Sequence, residues 1–192
     1  MRVITGSARG RKLQEPDGLD IRPTTDRVKE GLFSAIQFDI PGRRVLDLFA
    51  GTGQLGIECL SRGADSAVFV DTAPAAVAAI RENLKRTGFT DRAEIHTGGA
   101  LEYLAAFSRA RGKNKNFDII FLDPPYESNF IADALEAVAA FDILKPHGII
   151  SAEHPAGKRL PPPPELFRAY RSYRYGKIAV TLYRHADADL II

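Results

Sequence analysis

Asp47-Leu48-Phe49-Ala50-Gly51-Thr52-Gly53 and Asp123-Pro124-Pro125-Tyr126 gather the residues of this chain best suited to chemistry. Gly51-Thr52-Gly53-Gln54-Leu55-Gly56 has the G-x-G-x-x-G spacing of a nucleoside-cofactor loop. Asp71 follows about 20 residues later, where a ribose-binding acid is expected. A dinucleotide would set its pyrophosphate at the helix N-terminus behind such a loop. Asp47, just before the glycines, would repel that pyrophosphate and favour an ammonium group instead. S-adenosylmethionine carries an ammonium beside a sulfonium, without phosphates. The alternative for Asp47 is that it only ties down the glycine turn by hydrogen bonds.

The second segment suits the holding of a planar amine. Two prolines in succession fix the backbone, and the first restricts Asp123 to an extended conformation. The Asp123 carboxylate and the Pro124 carbonyl can accept both protons of one exocyclic NH2 group. That favours a pyramidal nitrogen with its lone pair aimed outward, and stabilises the positive charge that develops on it. Tyr126 can stack on the base, a contact worth roughly 1–3 kcal/mol in single-strand binders. A paired base would first have to be flipped out. The alternative is a rigid strand-to-helix turn with Asp123 as a cap.

Positioning these groups requires a particular scaffold. Both segments follow apolar runs that read as parallel strands, so their polar residues fall at carboxyl ends of a sheet, where open α/β folds bind ligands. Strands are expected at Val45–Phe49, Ala67–Asp71, Ala93–Thr97, Phe117–Asp123 and Gly148–Glu153. Helices are expected at Leu55–Arg62, Pro74–Thr87, Ala100–Arg109 and Phe130–Phe141. The fold class is therefore α/β, a Rossmann-like, doubly wound and mostly parallel sheet. Val3-Ile4 and Lys12-Leu13 suggest a small N-terminal hairpin, and Thr24-Thr25-Asp26 are N-cap candidates for a helix through Val28, Leu32, Phe33 and Ile36. Pro161–Pro164 reads as an extended connection. Ala169–Tyr175 and Ile178–Arg184, divided by Gly176, form a closing antiparallel hairpin.

With 192 residues and 45% hydrophobic content, one domain over 1–192 is expected, residues 1–40 extending a core at 41–192. No apolar run approaches the roughly 20 residues that span a bilayer. The first residues lack a signal-peptide core, and the single cysteine suits a reducing compartment, so a cytoplasmic protein without membrane attachment is expected. No oligomer interface is legible, and a monomer is expected. Cys59 reads as a packed side chain. Net charge is only +2, but cations cluster. Arg2, Arg9, Arg11 and Lys12 form one group, Arg109, Arg111, Lys113 and Lys115 another. Arg168, Arg171, Arg174 and Lys177, interleaved with Tyr170, Tyr173 and Tyr175, form a third. Together with nucleobase chemistry they point to an RNA or DNA partner.

Asp47–Gly53 and Asp123–Tyr126 resemble motifs I and IV of class I S-adenosylmethionine-dependent methyltransferases acting on exocyclic amines. Met1–Gly6, Gly10–Leu13, Arg22–Glu30 and Leu60–Ala64 are similar to the RsmD-type guanine-N2-methyltransferases of bacterial 16S ribosomal RNA. The likeness runs from the first residue to about Glu153. It implies S-adenosylmethionine as cofactor, contacted by Asp47, Phe49, Gly51, Gly53, Asp71 and Ala100. It implies Asp123, Pro124 and Tyr126 at the target amine, the N2 of guanine 966 in that family's designation. Arg9, Arg11 and Lys12 would grip phosphates of ribosomal RNA within a small-subunit assembly particle, and the Arg22–Arg27 segment would lie over the cofactor's methionine end.

Two positions depart from that pattern. Asp71 replaces the Glu of many relatives and is one methylene shorter. Gly99, before Ala100, stands where an Asp commonly binds the adenine amino group, which leaves backbone groups at Ala100 and apolar packing for that contact. An adenine-N6 methyltransferase shares the Asp-Pro-Pro-Tyr turn. A nicotinamide-dependent oxidoreductase fits the glycine loop but leaves Asp47 and the double proline unexplained. A non-catalytic RNA-binding protein of the same fold is a further alternative.

Overall fold

Val45-Leu46 and Ile119-Ile120-Phe121-Leu122, read as strands covered on both faces, are buried β-strands. The computed structural model describes residues 1–15, 26–110, 116–125 and 129–188. They fall into two compact units, Met1–Gly99 and Ala100–Ile192.

The first unit alternates helix and strand: α1 Asp26–Ala35, β1 Arg44–Leu48, α2 Gln54–Ser61, β2 Ser66–Asp71, α3 Pro74–Thr87 and β3 Ala93–Thr97. Short 3-10 turns at Gln37–Asp39 and Thr90–Arg92 lead into β1 and β3. The strands pair parallel in the order β3-β2-β1. Asp47 lies opposite Phe69, and Asp71 opposite Thr97, which sets the register of the polar strand ends. Every residue of α2 is buried. Gly56 is what brings this helix so close to the sheet, because a Cβ there would lie 2.4 Å from the Phe69 ring. Pro74 opens α3 and Gly88, at φ 78°, closes it, the usual asymmetry of helix ends.

The second unit contains α4 Ala100–Ala110, β4 Phe117–Leu122, α5 Phe130–Ala140, β5 Leu144–Pro155, β6 Phe167–Tyr175 and β7 Ile178–His185. Its strand order is β4-β5-β7-β6, with β4 and β5 parallel and the last two strands antiparallel. All six residues of β4 are buried. β5 begins four residues before its expected start, because Leu144 already pairs with Phe117 while Ile149 pairs with Ile119. The chain folds back between them, and Gly148 makes room, since a Cβ there would sit 2.5 Å from Leu144. The closing hairpin is as expected and two residues longer at the start of β6.

The small N-terminal hairpin is present as expected. Arg2 bridges Lys12 antiparallel, and backbone N–H groups of Val3, Gly10 and Leu13 donate to the carbonyls of Arg11, Val3 and Met1 at 2.9–3.2 Å. The turn at Gly6, φ 86°, packs so tightly on α2 that a Cβ would overlap the Ser61 carbonyl. Backbone groups that a longer ladder would have used are bonded to α2 instead. Thr24 and Thr25 lie outside the described residues, and α1 starts at Asp26. No helix among the described residues is long and apolar enough to cross a membrane.

Candidate functional site

The cofactor loop is a sharp turn at the carboxyl end of β1. Phe49, Gly51 and Gly53 all have positive φ, at 63°, 55° and 77°. Glycine adopts this region freely, whereas Phe49 does so at a cost of about 1–3 kcal/mol that the surrounding contacts must offset. Hydrogen bonds close the turn: Ala50 N–H donates to the Val70 carbonyl at 3.0 Å and Gly53 N–H to the Ala50 carbonyl at 2.7 Å. Gly53 then serves as the N-cap of α2 without any side chain of its own.

Asp71 joins the two strand ends. Its Oδ2 accepts the Gly51 N–H at 2.8 Å, and its Oδ1 accepts the Ala73 N–H at 2.9 Å. Its own carbonyl accepts the Gly98 N–H at 3.0 Å. The half-exposed carboxylate is thereby fixed beside the glycine turn, with lone pairs left for a diol. Asp47, Phe49, Gly51, Gly53 and Asp71 thus come together in the first unit.

Asp47 is 1% exposed. Its Oδ2 accepts the Gly56 N–H at 2.9 Å, so it caps the first turn of α2 from within β1. Burial pushes its pKa from 3.8 up to about 8; the Gly56 bond opposes this and the nearby Asp71 carboxylate adds to it. Of the two roles open in the sequence, turn-securing is the one visible here. At neutral pH a carboxyl so raised brings less negative charge than an ammonium contact assumes.

The Asp123-Pro124-Pro125-Tyr126 segment belongs to the second unit. Asp123 is half-buried immediately after β4, Pro124 is buried and Pro125 exposed. Tyr126 lies outside the described residues. Ala100, buried, is the first residue of α4. Gly99 offers no side chain at the end of the first unit.

Arg9, Arg11 and Lys12 are exposed on the N-terminal segment. Arg111, Lys113, Lys115 and the Arg22–Thr25 part of the Arg22–Glu30 signature lie outside the described residues. What sequence reasoning missed is how the N-terminal segment is held. Glu58, 1% exposed, accepts the Ile4 and Thr5 N–H groups at 2.7 and 3.0 Å and the Arg62 Nε at 2.8 Å. Ser61 Oγ donates to the Thr5 carbonyl at 2.6 Å and accepts the Ala8 N–H at 3.0 Å. Buried Lys29 donates to the Arg2 carbonyl at 2.8 Å. Asn83, wholly buried, accepts the Gln14 N–H at 2.6 Å and donates to the Gln14 and Thr52 carbonyls at 3.0 Å each. It ties the basic segment to the cofactor loop. A signal existed: Asn83 continues the Ala76, Ile80, Leu84 stripe of α3, and Glu58 is the one charged residue of α2.

Residues 1–184 match the family described as Conserved hypothetical protein 95. The chain belongs to this family, that of RsmD. Within it, the chain is 39% identical to the candidate rRNA methyltransferase YlbH of Bacillus subtilis, over 96% of this chain and 98% of that protein. It is 32% identical to the Ribosomal RNA small subunit methyltransferase D of Escherichia coli K12, over 98% and 94%. Among solved structures, the candidate methyltransferase yhhF from Escherichia coli aligns with TM-score 0.83 and 34% identity, covering 96% of this chain and 97% of that one. The family's mostly parallel, Rossmann-like α/β fold is the fold expected from the sequence.

Proposed function

We propose that this protein is an S-adenosylmethionine-dependent methyltransferase of ribosomal RNA, acting on the N2 amine of a guanine in the small subunit. The reading extends to guanine 966, as in the family's designation, and to one catalytic domain over 1–192 working as a monomer on an assembling subunit. The observation that carries the chemistry is the Asp123-Pro124-Pro125 turn at the carboxyl end of the wholly buried β4. The relatives named for small-subunit ribosomal RNA supply the substrate class.

The cofactor loop suits a nucleoside without phosphates. A pyrophosphate would look for free amides in the first turn of α2, and Asp47 already occupies the Gly56 amide there. Asp71 offers acceptors for a ribose diol, and the amides of Gly51 and Ala73 hold it in place for that. Phe49, Gly51 and Gly53 shape the loop, and the Ala100 backbone would meet the adenine edge where Gly99 gives nothing. S-adenosylmethionine supplies an electrophilic methyl group on its sulfonium. Asp123 and the Pro124 carbonyl accept the two protons of the guanine amine, and Tyr126 stacks on its ring. Positive charge growing on that nitrogen is met by the Asp123 carboxylate, which is also the acceptor for the proton the product sheds. Arg9, Arg11 and Lys12 hold phosphates, on a segment that Glu58, Ser61, Lys29 and Asn83 fix in place.

The test is transfer of isotope-labelled methyl to small-subunit ribosomal RNA, followed by digestion to nucleosides. N2-methylguanosine is expected. N6-methyladenosine would assign the adenine reaction, and no transfer to RNA would refute the function. Calorimetry with S-adenosylhomocysteine and NAD side by side separates the oxidoreductase alternative, which requires NAD to bind.

A further inference from the structure

The hairpin β6–β7 runs from Phe167 to His185 and holds Arg168, Arg171, Arg174, Lys177 and Arg184 with no Asp or Glu. In a chain with 26 basic and 24 acidic residues this is a sharp separation of charge. The nearest acids along the chain, Glu165 and Asp187, flank the open end of the hairpin, opposite the turn at Gly176. β6 is the edge strand of its unit. Arg171, Arg174 and Lys177 are exposed, and Tyr173 and Tyr175 half-exposed. A bulge between Ala169 and Arg171 resets the alternation. Arg171, Tyr173 and Tyr175 then share one face of the strand, at intervals of two, and exposed Arg174 stands on the other face of the same edge strand. The two tyrosine rings stack with centroids 6.5 Å apart and an interplanar angle of 25°.

Strand register sets where this surface lies. Leu122, the last residue of β4, pairs with Ala152, which pairs with Thr181, which pairs with Ser172. Three residues further on, Pro155 pairs with Ile178, which pairs with Tyr175. β6 therefore runs in the same direction as β4, and Tyr173, Arg174 and Tyr175 stand level with Asp123–Pro125. Three strand spacings separate them, roughly 14 Å across the sheet, about four base-pair rises. The edge is also braced from inside. His154 Nε2 lies 2.9 Å from Thr181 Oγ1, which lies 3.2 Å from Ser172 Oγ, a chain of polar contacts crossing from β5 to β6.

Arginines on an edge strand also deter strand-to-strand aggregation. That role does not call for paired tyrosines, nor for placement at the amine end of the sheet. Backbone addition by a protein strand would exploit the same edge but gains nothing from a patch with a single sign of charge and stacked rings. Phosphates and bases use both.

We propose that Arg171, Tyr173, Arg174, Tyr175 and Lys177 form a second RNA-docking surface, which holds nucleotides flanking the target guanine while Asp123 and Pro124 hold its amine. This rests on the ribosomal RNA methyltransferase reading above. Arg171, Arg174 and Lys177 take phosphates, and the tyrosine pair stacks on an unpaired base.

The test uses the full chain with transcribed small-subunit ribosomal RNA as probe, affinity being measured from 50 to 300 mM salt. Arg171→Ala/Arg174→Ala/Lys177→Ala should weaken binding about tenfold or more and make the salt slope shallower by about 2. Its affinity for S-adenosylhomocysteine and its melting temperature should stay as in the wild type. Arg171→Lys/Arg174→Lys should keep the wild-type slope. Tyr173→Leu/Tyr175→Leu should lose about tenfold in affinity with the slope unchanged. Wild-type affinity and slope in the triple alanine variant, with the wild type methylating ribosomal RNA normally, would overturn this proposal alone. A wild type that neither binds nor methylates the RNA overturns both proposals. RNA affinity retained while co-sedimentation with small-subunit particles is lost would assign the edge to a protein partner and refute the RNA surface.

Discussion

Asp123 illustrates what residue type and spacing disclose. A carboxylate locked in an extended conformation by two prolines, directly after a buried strand, has few structural uses that need both prolines. In the proposed reaction, Asp123→Ala removes one of two acceptors on the target amine. Loss of a preorganised polar partner of developing charge costs about 10²–10³ in rate. Methyl transfer should fall by that factor while calorimetry shows S-adenosylhomocysteine binding unchanged; loss of both together would make the residue structural. Asp47 was less legible. Its place before the glycines was plain, but the direction of its carboxyl depends on Gly56, nine residues on, which comes within reach only once α2 packs on β2. A sequence shows that an acid precedes a turn. It does not show that the acid is buried and capping the helix behind it.

At the scale of elements, two interactions have measurable weight. The Asp47 cap carries a pKa of about 8 against 3.8 when unfolded, so folding takes up a proton between about pH 4 and pH 8. The stability this group contributes is full below pH 4 and declines as pH rises through 8. Asp47→Asn keeps an acceptor for Gly56 without the titration. Urea unfolding from pH 5 to pH 8 should show the wild type losing stability relative to the variant; parallel curves would contradict the assignment. The second interaction is the Glu58 clasp. Glu58→Ala leaves two backbone donors and the Arg62 guanidinium without their acceptor inside the protein, a cost of about 3 kcal/mol. Melting should fall by roughly 6–12 °C, and proteolysis should cut first within the N-terminal segment. An unchanged melting temperature would show that the segment is held by other means. The strand and helix positions were legible because periodicity and flanking Gly and Pro report them. The small N-terminal hairpin was legible but not what anchors it, because its remaining polar groups bond to Glu58, Ser61 and Asn83, partners 50 to 70 residues away that no local pattern reveals.

Across the whole molecule, the order of elements already specified an α/β fold with polar residues at the strands' carboxyl ends. The N-terminal signature added a substrate class that neither glycine loop nor double proline carries by itself. Charge was legible as clusters but not as a surface. That Tyr173, Arg174 and Tyr175 stand level with Asp123–Pro125 depends on the register of three strand pairs. The proposed activity is methylation of the N2 amine of a small-subunit ribosomal RNA guanine. The most direct measurement is mass spectrometry of ribosomal RNA from cells lacking the gene, against the same cells given back the wild-type protein or Asp123→Ala. One N2-methylguanosine should be missing from the small subunit, restored by the wild type and not by the variant. An unchanged set of N2-methylguanosines in the cells lacking the gene would contradict the claim.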